Sequence, residues 1–400
     1  MGEVEREERG PDWGGPRVVE SMQSAVNEQV GGGSSSQAWG ADGGEASKGA
    51  GREWEALGGE GCDREVVYTG CGTEADNTAL LSALETQGGR NEIVTTCVEH
   101  PAILALCAWL EKSRGVKVHY IGVDSRGRLD MDAYRKALGP RTAIASVMWA
   151  NNETGNLFPV ETLAELAHEA GALFHTDAVQ AVGKVPMDLK SSEIDMLSLS
   201  GHKFHAPKGI GALYVRRGVR LRPMIRGGHQ ERGRRAGTEN APSIIGMGVA
   251  AELAMRHLDE ENTRVKALRD RLEKGLIQRI SHAMVTGDEG NRLPNTSNIA
   301  FEYIEGEGIL LLLNKAGIAA SSGSACTSGS LEPSHVLRAM KVPYTAAHGA
   351  IRFSFSRENT AEDVDRVLEV MPGIVETLRG MSPFWDGASA TRSAFTPSYA

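Results

Sequence analysis

Thr142-Ala-Ile-Ala-Ser-Val-Met-Trp149, a helical stretch over 161–170, and Ala172-Leu-Phe-His-Thr176 follow one another in direct succession. The outer two runs are too apolar to face water on either side, as expected of strands covered by helices on both faces. Between them Leu163, Leu166, Ala167 and Ala170 keep the i, i+3, i+4, i+7 spacing of one helix face, and Gly171 supplies a stop. Outward from this unit, Arg64-Glu-Val-Val-Tyr-Thr69, Glu92-Ile-Val-Thr-Thr96, Val116-Lys-Val-His-Tyr-Ile121, Asp195-Met-Leu-Ser-Leu199 and Gly211-Ala-Leu-Tyr-Val215 read as further strands. Seven such runs alternating with helices predict an α/β domain with a mainly parallel sheet, whose ligands sit at the loops after the strand C-termini.

A charged helix over 259–280, with Val265, Leu268 and Leu272 on one face, reads as a connector into a smaller α+β unit. That unit takes in the strand Asn298-Ile-Ala-Phe-Glu302, the apolar run Ile309 to Leu313, a Ser/Gly-rich loop at 321–330 and the strand Ala350-Ile-Arg-Phe-Ser-Phe355. A closing helix starts at the capping pattern Thr360-Ala-Glu-Asp363 and presents Val364, Val367, Leu368 and Met371 to the core. The expected organisation is an atypical, poorly ordered head at 1–60, a large domain at 61–258, a small domain at 259–386 and a tail at 387–400.

The chain of 400 residues carries 43 Lys and Arg against 52 Asp and Glu, a net charge of −9. The first 60 residues hold 12 acids, 5 bases and 14 of the 48 glycines, leaving 40 acids and 38 bases for a nearly neutral body. This balance disfavours a polyanion-binding role, even for Arg226-Gly-Gly-His-Gln-Glu-Arg-Gly-Arg-Arg235, which lacks interleaved aromatics. No uninterrupted apolar run of about 18 residues occurs, and Met1 to Gly15 is charged where a signal peptide is apolar. A soluble, cytoplasmic protein with no membrane and no nucleic-acid partner is expected. Cys62, Cys71, Cys97, Cys107 and Cys326 are odd in number and lack a CxxC pair, against a disulfide framework or structural zinc. Cys97 and Cys107 sit in apolar surroundings and are expected to be inert.

Leu197-Ser-Leu-Ser-Gly-His-Lys-Phe-His-Ala-Pro-Lys-Gly209 places Lys203 just after an apolar strand, beside Ser200 and His202. A desolvated amine there can form a Schiff base. Upstream, His175-Thr-Asp-Ala-Val-Gln180 ends another strand with Asp177 and Gln180. Pyridoxal phosphate needs a carboxylate to keep its ring nitrogen protonated, which suits Asp177, although an N-cap would also use an acid here. Gln180, or Asn152 in Trp149-Ala-Asn-Asn-Glu-Thr-Gly155, can reach the ring's phenolic oxygen. Thr69-Gly-Cys-Gly-Thr-Glu-Ala-Asp-Asn77 leaves a strand through a Gly-rich turn into a helix, so Gly72 and Thr73 fit a phosphate cradle. The turn lacks the lysine of a P-loop. His100 follows a strand and precedes Pro101, where it can stack on a planar cofactor and shuttle protons or serve only as a turn residue. Cys326 lies in Ser321-Ser-Gly-Ser-Ala-Cys-Thr-Ser-Gly-Ser330, a loop with no residue to pack a core and suited to carry a thiol to a buried substrate.

Together with Arg232-Gly-Arg-Arg-Ala-Gly-Thr-Glu239, these motifs in this order resemble the pyridoxal-phosphate cysteine desulfurases of the NifS type, from about residue 60 to 386. The resemblance implies a fold-type-I homodimer of the class-V aminotransferase kind, with a seven-stranded sheet, converting L-cysteine to L-alanine and leaving sulfur as an enzyme persulfide. It implies Lys203 as the Schiff-base lysine and proton-transfer base, with His100 stacked on the ring. Asp177 would pair with the pyridine nitrogen, and Asn152 and Gln180 would reach the phenolic oxygen. Gly72, Thr73, Ser200, His202 and, from the other subunit, Thr238 would hold the phosphate. Arg352, with Asn152, would bind the substrate, its planar fork suiting a carboxylate. Cys326 would be the nucleophile, its persulfide touching a nascent iron-sulfur cluster, with a scaffold protein as acceptor and a nitrogenase association.

The family's opening Asn-rich loop has no counterpart in residues 1–17, and its next segment appears as Gly31-Gly-Gly-Ser-Ser-Ser-Gln-Ala-Trp-Gly40. Three consecutive glycines raise the entropy lost on ordering such a wall. Two alternatives follow: a homologue that binds cofactor with impaired turnover, or another class-V enzyme such as a selenocysteine lyase.

Overall fold

Apolar runs buried on both faces organise the larger of two sheets. In the computed structural model, which describes residues 15–28, 64–322 and 332–385, this sheet contains β1 (Val66–Thr69), β2 (Glu92–Thr96), β3 (Lys117–Ile121), β4 (Thr142–Ser146), β5 (Leu173–Asp177), β6 (Met196–Ser200) and β7 (Gly211–Val215). The order is β1-β7-β6-β5-β4-β2-β3. All neighbours are parallel except around β7, which runs antiparallel to both β1 and β6. The link from Ser200 to Gly211 is too short for a helical crossover, so β7 returns beside β6 in the opposite direction. Strands β2, β4, β6 and β7 are buried at every position, whereas edge strand β3 exposes Lys117 and Tyr120.

Helices α1 (Pro16–Glu28), α2 (Gly72–Thr86), α3 (Pro101–Arg114), α4 (Met131–Ala137), α5 (Val160–Glu169) and α6 (Ala241–Arg256) belong to the same body. Helix α3 shows how local chemistry sets the ends: His100 caps it, Pro101 opens it, and Gly115 closes it with φ 63°. In α5 the buried stripe is Val160, Leu163, Ala164 and Ala167. Leu166 is half-buried and Ala170 is the C-cap, so the stripe lies slightly N-terminal to the expected one.

The second sheet is wholly antiparallel, in the order β10 (Ser321–Ser322), β11 (Ala350–Ser354), β9 (Thr296–Phe301) and β8 (Ala283–Val285). It packs with α7 (Lys266–Arg279), α8 (Gly306–Lys315) and α10 (Ala361–Met381), and Leu272, Phe301, Ile309, Val364 and Leu368 form part of its core, whereas α9 (His335–Ala339) buries Val336 and Leu337 in the core of the larger body. Thr360 and Asp363 make the reciprocal capping box at the start of α10. The charged connector is not one regular helix. Residues Glu261–Val265 widen into a π-helical turn before α7, where Asn262 Nδ2 donates both to the Leu258 carbonyl at 2.9 Å and to the Lys184 carbonyl at 3.0 Å.

Part of the head expected to be poorly ordered is instead a docked helix. Helix α1 lies on α6 with Val18 and Ala25 buried. Gly246 permits this approach, because a Cβ there would lie 2.7 Å from Met22 Cγ. The Gly31–Gly40 segment lies outside the described residues. No helix of the described residues is long and apolar enough to cross a membrane.

Val18 is 0% and Val19 43% exposed, so two neighbouring substitutions separate docking from propensity. Val18→Ala is expected to reduce unfolding free energy by about 1.6 kcal/mol, the equivalent of two buried methylenes, while Val19→Ala stays within about 0.5 kcal/mol of the parent. Urea denaturation measures both, and equal effects would contradict the docking of α1.

Candidate active site

Strands β1, β2, β4, β5 and β6 run in one direction, so their C-terminal ends open on a common edge of the sheet. Gly72 and Thr73 follow β1 as the first residues of α2, and His100 follows β2. Asn152 lies in the turn beyond β4, Asp177 ends β5, Ser200 ends β6, and Lys203 lies in the 3-10 turn Gly201–Phe204. Gly72 ties three of these loops together. A Cβ at this position would meet Val179 Cγ2 at 2.8 Å and Ser200 Cβ at 3.4 Å, so only glycine lets the start of α2 lie against both loops. Cys71, the N-cap of α2, makes no side-chain capping bond, which leaves the first-turn N–H groups suited to an anion. Beside them, Ser200 Oγ and His202 Nδ1 lie 2.9 Å apart.

Asp177 is buried, and its Oδ1 accepts the Val179 N–H at 2.9 Å, so it does serve the local turn. No ion pair to Asp177 forms among the described residues, and burial pushes its carboxyl up to about 6. A carboxyl so placed lacks a cation, and a protonated pyridine nitrogen supplies one. His100 Nδ1 accepts from the Ala102 N–H at 3.1 Å, leaving Nε2 as the nitrogen that carries the proton of the neutral ring. Burial first, then the charge of Lys203, lowers the His100 pKa and keeps this imidazole neutral at pH 7. The polar donors, the Gly72 cradle and the uncompensated acid therefore fit pyridoxal phosphate.

The second sheet closes this edge. Arg352 on β11 donates from Nη1 to the Asn152 carbonyl at 2.6 Å, and Asn298 Nδ2 on β9 donates to the Glu153 carbonyl at 3.2 Å. Gln180 is half-buried in the turn after Asp177, and Thr238 is exposed ahead of α6. Cys326 lies outside the described residues. Burial pushes the Cys107 thiol up to about 12 and raises Cys97, in keeping with inert core roles. The arginine-rich stretch is committed internally: Arg235 pairs with Glu74 at 2.9 Å, Arg226 with Glu85 at 3.2 Å, and Arg234 donates to the carbonyls of Arg64 and Val66.

Several polar groups of this region escaped sequence reasoning. Lys184, buried, donates from Nζ to the Lys203 carbonyl at 3.1 Å. His335 Nε2 donates to the Glu99 carbonyl at 2.9 Å, next to His100. Glu99, Asp76 and His175 are also fully buried. Only His175 carried a signal, since it lies two residues before Asp177 on one strand and must share its face.

The model of the class-V aminotransferase family matches residues 16–367. The chain belongs to the class-V aminotransferases, among the NifS-type cysteine desulfurases. It is 76% identical over 385 residues to a cysteine desulfurase of Gluconacetobacter diazotrophicus, with 96% of each chain covered. It is 60% identical over 385 residues to the cysteine desulfurase NifS of Azotobacter vinelandii, again with 96% of each chain covered. A solved NifS-like protein, 36% identical, superposes with a TM-score of 0.85 over 92% of this chain and 99% of its own. The desulfurase uses pyridoxal 5'-phosphate, takes L-cysteine as substrate and passes sulfur to acceptors. Because the family match begins at residue 16, it spans the Gly31–Gly40 segment, and neither impaired turnover nor a selenocysteine lyase is favoured.

Burial pushes the Glu99 carboxyl up from 4.5 to about 8, against the bonds it accepts from Met148 N–H and Thr96 Oγ1. Between those values the folded chain holds a proton that the unfolded chain has released, so stability is lost as pH rises towards 8. Glu99→Gln is expected to flatten this fall, measured as urea midpoints at several pH values from about 5 to 8. An unchanged slope would show that Glu99 is ionised in the folded chain.

Proposed function

We propose that this desulfurase supplies sulfur for iron-sulfur clusters, in association with nitrogenase, as a cytoplasmic homodimer whose acceptor is a scaffold protein. The nitrogenase link is supported by the 60% identity to the Azotobacter vinelandii NifS. The observation that carries the catalytic assignment is the convergence of Gly72, His100, Asp177 and Lys203 at one sheet edge.

Lys203 would hold the cofactor and would move the proton at the substrate Cα. Pyridoxal phosphate, when bound, supplies a ring that withdraws electrons from the substrate Cα. Asp177 holds the ring nitrogen in its protonated form, while Asn152 and Gln180 orient the phenolic oxygen. Gly72, Thr73, Ser200 and His202 bind the phosphate through N–H and hydroxyl donors, with Thr238 of the partner subunit completing the set. His100 would lie beside the cofactor and holds a proton at Nε2. Arg352, with Asn152, orients the substrate carboxylate, whose charge it meets with a forked donor.

Cys326 acts as a thiolate. Its sulfur attacks the substrate Sγ, an S–S bond forms as the Cβ–Sγ bond breaks, and the carbon skeleton leaves as L-alanine after taking up protons. The persulfide on Cys326 then passes its outer sulfur to the acceptor and is the point at which a nascent cluster is touched transiently. Ser321 and Ser322, the last described residues before Cys326, pair with β11 in the second sheet, whereas Lys203 follows β6 of the first.

The deciding experiment compares the purified protein with Lys203→Ala and Cys326→Ala. L-cysteine is expected to yield alanine and enzyme persulfide in equal amounts. Lys203→Ala should lose the visible absorbance of bound cofactor and both products, and Cys326→Ala should keep the absorbance and lose the persulfide. An unchanged persulfide yield in Cys326→Ala refutes the nucleophile assignment. Arg352→Ala is expected to raise KM for L-cysteine roughly 10- to 100-fold with a smaller change in kcat, the signature of a lost charge-assisted bond.

A further inference from the structure

Next to Asp177 runs a buried polar row that the desulfuration chemistry leaves unused. Ser146 on β4, His175 on β5 and Ser198 on β6 are each fully buried. Ser146 Oγ lies 2.8 Å from His175 Nδ1, and His175 Nε2 lies 2.8 Å from Ser198 Oγ. The row ends on α2 at Asp76, which lies beside Ser198 and whose Oδ1 lies 3.7 Å from His175 Nε2. That Oδ1 is buried with no hydrogen-bond partner among the described residues. His175 and Asp177, two apart on β5, project from one face of the sheet, and the His175 contact shows that α2 covers it.

Burial first, then the neighbouring Asp177 carboxyl, raises the pKa of Asp76, and no cation faces it among the described residues. His175 supplies none, because burial holds it down to about 3 and therefore neutral. Two neighbouring carboxyls without a cation do not both ionise in such a medium. A protonated pyridine nitrogen balances one carboxylate, so the other keeps its proton. Asp177 accepts a backbone N–H from Val179, which favours its anion, whereas Oδ1 of Asp76 receives no donor and burial outweighs the lowering effect of Ser198 on that carboxyl. The row is consistent in direction: Ser146 donates to Nδ1, the neutral imidazole donates from Nε2 to Ser198, and the Ser198 hydroxyl is left to donate to Asp76.

We propose that Asp76 is a positioning residue that holds the proton of the Asp76–Asp177 pair, its carboxyl fixed by the Ser146–His175–Ser198 row, so that Asp177 alone carries the charge offered to the pyridine nitrogen. The inference rests on the reading of Asp177 as the partner of that nitrogen.

The test is infrared difference spectroscopy of the holoenzyme, paired with cofactor titration. The C=O stretch of a protonated, deuterium-sensitive carboxylic acid is expected in the parent, with one such band lost in Asp76→Asn and a separate one lost in Glu99→Gln. Asp76→Asn, which mimics the neutral acid, should keep cofactor affinity within about threefold, while Asp177→Asn should weaken it at least about tenfold. Ser198→Ala should shift the Asp76 band without abolishing it, a readout that does not require Asp76 itself to be replaced. An acid spectrum unchanged in Asp76→Asn, or unmoved in Ser198→Ala, overturns the proposal, as does an Asp76→Asn affinity as poor as that of Asp177→Asn. If Asp177→Asn binds cofactor like the parent, the underlying reading of Asp177 fails, and the band lost in Asp76→Asn tells that failure apart.

Discussion

The parallel pairing of β5 with β6 sets Asp177 opposite Ser198 and carries the next residues of β6 directly into the turn that bears Lys203. Parallel strands present their C-terminal ends at one edge, and burial on both faces prevents a register slip from being tolerated. Asp177 and Lys203, which we propose as the acid for the ring nitrogen and the lysine that holds the cofactor, are thus delivered side by side by backbone hydrogen bonds, before any side chain of the site is counted. The remaining groups arrive by the same route from β1, β2 and β4.

What the backbone delivers, burial then tunes. Asp177, Glu99 and Asp76 are all raised by desolvation, and His100 and His175 are lowered by it. A cluster of acids with so little compensating charge is unfavourable in the empty fold and favourable once a cationic ring nitrogen is present. The fold therefore spends stability on a site that binding restores. Closure by the second sheet adds the proposed substrate end, since Arg352 reaches the Asn152 carbonyl from β11.

Legibility followed the range of the interactions involved. The runs of β2 and β7 were readable to their end residues, the first from its β-branched Ile93, Val94, Thr95 and Thr96 and the second because it is apolar throughout. The capping box of α10 was readable because it spans four residues. The break in the connector was not, since Asn262 finds its second partner at Lys184, far away in the chain. Nor was the docking of α1, whose apolar face sits inside an acidic, Gly-rich head and needs the gap left by Gly246 on α6. Asp76 lay in plain view within the Gly72 motif, of which only Gly72 and Thr73 were read, as a phosphate cradle.

The sequence by itself determined the alternation of strands and helices, the residues able to form a Schiff base, hold a ring nitrogen or cradle a phosphate, and the family these motifs resemble. Those are properties of short segments, where residue type and spacing carry the chemistry. Only the tertiary structure decided which buried groups share a medium of low polarity. Protonation in the row from Ser146 to Asp76 depends on neighbours contributed by three strands and a helix, and no local pattern encodes a sum over groups so widely separated along the chain.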